Sequence, residues 1–168
     1  MALNLIQNFS FENGILPWQT AGTAGTTDPL TGAFEGTLVG TLGPLIALAP
    51  GNAVISQAFP VPADAVNLRL SYAIQRLAAI EPIVNGNVQV QIVWQRGEAD
   101  LYSVISTEIL ENLIGLDITL GTAWETHVVV TDAKPAEAVQ ARLRFIMFSS
   151  ALGVAGAYID EVVVTAED

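Results

Sequence analysis

Three stretches of this chain alternate apolar and polar residues with a period of two. Leu68, Leu70, Tyr72 and Ile74 alternate with Asn67, Arg69, Ser71 and Gln75, with Ala73 the exception. Val88, Val90, Ile92 and Trp94 alternate with Gln89, Gln91 and Gln95, and Ala141, Leu143, Phe145 and Met147 with Gln140, Arg142 and Arg144. Successive side chains of an extended strand point to opposite faces, so each stretch predicts a strand with one buried and one wet face. Leu3 to Phe9, Ala33 to Val39, Ala53 to Phe59, Leu101 to Thr107, Trp124 to Thr131 and Tyr158 to Val164 are weaker candidates, rich in β-branched or aromatic residues. Turn residues separate them, and about nine strands arranged in this way predict an all-β chain, an antiparallel sandwich or a barrel.

Glu108 to Leu116 (EILENLIGL) departs from this pattern. Ile109, Leu110, Leu113 and Ile114 fall at helical spacing, and Gly115 is able to cap an end, so a short helix near 108–115 is expected, or else an irregular loop.

The 168 residues suit one domain, 1–168. Hydrophobic residues make up 51% and charged residues only 14%, against about 25% charged in ordinary soluble domains. Such a chain has ample apolar surface to offset the entropy of ordering, which excludes disorder. After the strands are filled, Leu42 to Leu48, Ile109 to Leu116 and Ala151 to Ala157 still have no inward face to occupy. That surplus predicts a covered surface, and hence a homo-oligomer.

The 17 acidic residues outnumber six basic ones, for a net charge of -11, which argues against nucleic acid and anionic membranes as partners. Gly40, Gly43, Pro44, Pro50, Pro60 and Pro62 interrupt the uncharged stretch between Glu35 and Asp64, so no spanning helix and no membrane insertion are expected. Met1 to Ser10 has neither a basic residue nor a long apolar core, so no signal peptide is expected there.

The residue types also restrict the chemistry. There is no cysteine and one histidine, His127, so thiol catalysis and a multi-histidine metal site are excluded within one chain. A Ser-His-Asp triad would have to use His127, yet no Gly-x-Ser-x-Gly turn presents a nucleophile. Glu98 and Asp100 lie in a Gln-Arg-Gly-Glu-Ala-Asp stretch that reads as a solvated hairpin turn rather than a glycosidase pair. The expectation is therefore a non-catalytic protein.

Binding chemistry is better represented. Arg69, Gln75, Gln89, Gln91, Arg142 and Arg144 all fall on the polar side of their strands. On one sheet they would make a face of amide and guanidinium donors suited to sugar hydroxyls, or simply a solvated sheet face. Trp94 and Trp124 lie on the apolar sides of their strands and read as core, while Tyr102 is a further aromatic candidate. Trp18 follows Pro17 in a loop and is the better stacking platform.

Four segments carry a family resemblance: Asn8-Phe-Ser-Phe-Glu-Asn-Gly14 followed by Pro17-Trp18, then Ser56-Gln-Ala-Phe-Pro-Val-Pro62, then Trp124-Glu-Thr126, and finally Tyr158-Ile-Asp-Glu-Val-Val-Val164. In this order they resemble the jelly-roll family of galactose-binding-like domains and carbohydrate-binding modules. Within that group the chain is similar to modules at the start of Firmicute tandem-repeat and collagen-like surface or spore proteins. The resemblance implies a jelly-roll sandwich, a structural calcium tying the first strand to the last through Glu12 and Asp160, and a glycan ligand. Combined with the apolar surplus, it leads to the expectation of a self-associating structural or adhesive module at a bacterial cell or spore surface. A carbohydrate-binding module using the polar sheet face is the alternative.

Overall fold

The computed structural model describes residues 3–43, 52–78, 86–97, 103–114, 123–149 and 155–168. Among these residues ten strands follow one another: β1 (Gln19–Gly22), β2 (Ala24–Thr27), β3 (Val39–Leu42), β4 (Asn52–Pro60), β5 (Asn67–Ala78), β6 (Gly86–Gln95), β7 (Val104–Ile114), β8 (Glu125–Val130), β9 (Gln140–Ser149) and β10 (Ala155–Glu167). They form two antiparallel five-stranded sheets, a front sheet in the order β1-β4-β9-β6-β7 and a back sheet in the order β2-β3-β10-β5-β8. Among the described residues no helix is long and apolar enough to cross a membrane.

The three clearest alternating stretches become β5, β6 and β9. Their apolar halves meet between the sheets, where Leu70, Ile74, Val90, Ile92, Leu143 and Phe145 are at most 1% exposed. At roughly 25 cal/mol per Å² of apolar surface removed from water, this inner layer is the main source of stability. The chain crosses between sheets at Gly22, where β1 gives way to β2. Its φ is 66°, and a Cβ there would lie 1.8 Å from the Asn52 carbonyl oxygen, so only glycine fits.

Three expectations are corrected. Residues 104–114 are strand β7, not a helix at 108–115. Its pairing with β6 shifts between Val90 and Gln91, which face Glu111 and Ile109, so Leu110 is an extra residue. Leu110 and Leu113 then pack against the core, and a strand interrupted by such a bulge mimics helical spacing. Leu3 to Phe9 is not a strand, although Leu5 N–H donates to the Val164 carbonyl (2.8 Å) and Asn4 side-chain atoms bridge Val162 and Val164. Of the stretch from Ala33 to Val39, Ala33 to Leu38 is loop, and strand pairing begins only at Val39.

The apolar surplus is partly absorbed as well. Leu42 and Ala157 are 1% exposed in the core. Residues 44–48, 115–116 and 151–154 lie outside the described residues, as do Glu98, Asp100 and Tyr102. Ile109 of β7 is 55% exposed.

Candidate functional site

The outward side chains of the front sheet line up in rows set by strand register. Gln19 of β1 pairs with Ser56 of β4, Ser56 with Arg144 of β9, and Arg144 with Gln91 of β6. Arg142, two residues away on the same face, pairs with Ala58 and Val93. The polar halves of β6 and β9 therefore share one surface, bringing together four of the six polar residues singled out in the sequence: Gln89, Gln91, Arg142 and Arg144.

That surface is a cleft of about 440 Å³, whose wall includes Gln19, Ser56, Val93, Gln95, Arg142 and Arg144. A second hollow of about 540 Å³ continues past Arg142 towards Pro60, Gly97 and Gln140. Arg142 donates to Gln19 Oε1 (2.6 Å) and to Ser56 Oγ (3.4 Å). Arg144 donates to Gln91 Oε1 (3.4 Å), and Gln91 in turn to Gln89 Oε1 (2.9 Å). Burial, and then the neighbouring Arg142 charge, lowers the pKa of Arg144 below the usual arginine value. Gln95 is 5% exposed, and its Oε1 has no hydrogen-bond partner among the described residues. The cleft can thus donate from guanidinium and amide nitrogens, while its described wall carries no aromatic ring.

The other two polar residues go elsewhere. Arg69 and Gln75 project from the outer side of β5 in the back sheet. Arg69 is solvent-exposed and 3.9 Å from Glu167. Gln75 is fully buried and accepts a hydrogen bond from the Thr31 hydroxyl (2.9 Å), because the segment before β3 covers it. An exposed sugar-facing role for Gln75 is therefore corrected.

Trp18 is also corrected, since it is 2% exposed and stacks on Phe11 with ring centres 5.1 Å apart. Its indole N–H donates to the Asn8 carbonyl (3.0 Å), and the Asn8 amide donates to Gly14 O (2.7 Å) and Leu16 O (2.9 Å). The Asn-x-x-Phe motif thus closes a loop and buries the tryptophan. Trp94 is core, as expected. Trp124 is half-buried on the back-sheet side, donating to Gly32 O (3.2 Å) and meeting Phe34 edge-on at 5.8 Å. Phe34 is 45% exposed, and its only sequence signal is an aromatic residue in a glycine-bounded loop, which sequence reasoning passes over.

Glu12 and Asp160 pin that same loop. Glu12 Oε1 accepts from Thr37 and Leu38 N–H (both 2.8 Å), and the glycine at 36 leaves room for the carboxylate. Asp160, fully buried, accepts from Glu35 N–H (3.0 Å) and Glu161 N–H (2.8 Å). Burial raises its pKa, the N–H donors pull it back, and Glu12 repulsion adds to the rise. Glu161, at the irregularity in β10, is pushed up to about 7 by burial, then by Glu35 and Asp160. Hard carboxylate oxygens suit calcium in kind, and a cation would relieve the repulsion between Glu12 and Asp160. No group of three or more Asp, Glu or His side chains among the described residues is arranged to hold a metal.

His127 lies in a seam between β7 and β8. Its ring stacks on Tyr72 (5.2 Å), its Nδ1 is 3.0 Å from Glu111 Oε1, and its Nε2 is 3.3 Å from Glu125 Oε2. Tyr72 O–H donates to Glu111, and Arg76 donates to Glu125 (2.7 Å). Burial, and then the Glu111 hydrogen bond, pushes the Tyr72 pKa up. Burial works against Glu125 ionisation, but Arg76 and His127 outweigh it and hold its pKa below the usual carboxylate value. The histidine is bound into a structural network that links the two sheets.

No protein-family model and no curated protein matches the sequence. Solved structures do match its shape. TmCBM61, a carbohydrate-binding module solved with β-1,4-galactotriose, superposes with a TM-score of 0.66 at 13% identity, over 99% of this chain and 100% of that one. The chain shares its fold with that module. A family 16 carbohydrate-binding module matches with a TM-score of 0.60 at 20% identity, covering 96% of this chain and 99% of that one. The CBM22-1 and GH10 modules of Clostridium thermocellum xylanase 10B, complexed with xylohexaose, match with a TM-score of 0.61 at 12% identity, over 100% of this chain and 29% of that one. Some matching chains also carry an enzyme, among them this xylanase.

Proposed function

We propose that this chain is a non-catalytic carbohydrate-binding module that holds its glycan in the front-sheet cleft. The observation that carries the reading is the row Gln19–Ser56–Arg144 with Arg142 beside it, a set of polar groups on one concave face. Sugar hydroxyls both donate and accept. Guanidinium and amide N–H groups would meet their oxygens, and the Ser56 hydroxyl in the cleft wall would meet their hydrogens. Hydrogen bonds to charged donors contribute about 1.5–3 kcal/mol each, so two arginines suffice for selective binding without a stacking ring. A glycan array tests the reading, followed by titration of the hits with Arg142→Ala and Arg144→Ala. Hits that weaken in both variants support it, and hits that ignore both place the ligand elsewhere.

A structural calcium is a separate part of the proposal. Glu12 and Asp160 would supply two oxygens, with main-chain carbonyls completing the set of about six to eight that the ion takes. Thermal unfolding with calcium and with a chelator tests it. A midpoint raised by calcium, with the rise lost in Glu12→Gln, supports the ion, and an unchanged midpoint removes it.

A further inference from the structure

The acids and bases of this chain are not evenly matched, and their placement singles out the cleft. With 17 acidic residues for six basic ones, every cation has a surplus of carboxylates to choose from. Arg69, Arg76 and Arg96 each take one, pairing with Glu167, Glu125 and Glu137. Among the described residues, Lys134 donates instead to the Ala138 carbonyl (3.4 Å), and Arg142 and Arg144 on one cleft wall have no carboxylate partner. Their partners are neutral Gln19, Ser56 and Gln91, and the described wall of the cleft contains no Asp or Glu.

Two residues apart on one strand face, the two arginines are about 7 Å apart along β9. Like charges held that close repel, and this repulsion adds to burial, the larger cause, in lowering the pKa of Arg144. Each guanidinium has five N–H donors in a planar fork, of which the described contacts use one or two. What relieves such a pair is an anion, and the planar fork matches a carboxylate or sulfate with two parallel hydrogen bonds. The negative charge of the rest of the chain does not forbid this, since at physiological salt its field is screened beyond about 8 Å.

Resting on the carbohydrate-binding reading, we propose that the cleft selects an anionic saccharide, one whose residues carry carboxylate or sulfate groups, with Arg142 and Arg144 as its recognition pair. Neutral Gln19 and Ser56 of the same wall read the adjoining hydroxyls. The chain is thereby separated from a module that holds neutral glycans by stacking.

Affinity gel electrophoresis and calorimetry on the whole chain test this with matched probes. The probes are polygalacturonate against its fully methyl-esterified form, alginate, chondroitin sulfate against its desulfated form, and neutral β-1,4-galactan and xylan. The expected result is binding to an acidic probe that falls about 10–100-fold in its charge-blocked partner and in Arg142→Gln or Arg144→Gln, with Arg→Lys at either position keeping part of it. Raising salt from about 50 to about 300 mM should weaken it several-fold. Loss on esterification assigns a carboxylate, and loss on desulfation assigns a sulfate. Binding to a neutral glycan that equals or exceeds every acidic one overturns the anionic inference and leaves the carbohydrate-binding reading standing. No binding to any probe, by protein whose unfolding midpoint matches the parent, overturns both.

Discussion

The front-sheet cleft and the β7–β8 seam use similar groups for opposite purposes. In the seam, Tyr72, His127 and Arg76 are matched against Glu111 and Glu125, so each carboxylate has hydrogen-bond donors and each of these side chains an acceptor. In the cleft, the hydrogen-bond partners of two arginines among the described residues are all neutral. A polar network satisfied from within stiffens a fold, and one left incomplete is available to something from outside. In the seam that satisfaction bridges two sheets, whereas the cleft rests on strands already held by the core.

Substitutions should separate the two regions cleanly. The largest loss of stability is expected for Glu111→Ala, which strips Tyr72 and His127 of a shared acceptor in a half-buried site. Chemical denaturation should show a loss of about 2–3 kcal/mol, with glycan binding unchanged once folding is ensured. A loss below about 1 kcal/mol would mean that the seam does not brace the two sheets.

The reverse pattern is expected for the double variant Arg142→Ala/Arg144→Ala. Its stability should stay within about 0.5–1 kcal/mol of the parent, since removing two repelling charges offsets the lost contacts, while glycan binding disappears. A large drop in melting temperature would make the arginines part of the scaffold.

Protonation gives a smaller and graded effect. Glu125 has a lowered folded pKa, so its stabilisation is present above its ordinary value of 4.5 and is lost as the pH falls through the lowered value. Glu161 behaves oppositely. Its folded pKa is raised from 4.5 to about 7, so the stability associated with it is intact below 4.5 and is lost as the pH rises through about 7. Glu161→Gln should therefore be more stable than the parent at pH 8, on the order of 1 kcal/mol after solvent screening is allowed for, and indistinguishable from it at pH 4. Equal stability at both pH values would dismiss the strain assigned to that carboxyl.

The smallest effect is expected on the back sheet. Arg69→Ala breaks an exposed contact of 3.9 Å and should change stability by less than about 0.5 kcal/mol and binding not at all. Lost glycan affinity in that variant would move the site to the other face.

What can be read from the residues follows the range of the interactions. Strands β5, β6 and β9 are legible because alternation is local, and so are the wet faces of Gln89, Gln91, Arg142 and Arg144. That Arg69 and Gln75 belong to a different sheet is not legible, because β5 pairs with β10 and β8, partners that no local pattern names. Proline-tryptophan in a loop suggests exposure, yet Trp18 is buried. Its burial depends on Phe11 and Asn8, which adopt positive φ of 60° and 48° to bring the loop round. The helical spacing in β7 is a bulge in disguise. The partners of His127 are hidden for the same reason as the sheets, since Tyr72 meets it only through β5–β8 register.

The placement of β10 between β3 and β5 also bears on how the chain is made. The strand at the centre of the back sheet is the last of the ten to leave the ribosome, so β3 and β5 emerge with their inner edges unpaired and wait through the synthesis of β6 to β9. Sheet closure is therefore a late, long-range event, of the kind that folds slowly and exposes open strand edges meanwhile. A nascent chain stalled before residue 155 would carry nearly all of the core's apolar residues with no central strand to gather them, making it a natural client for chaperones.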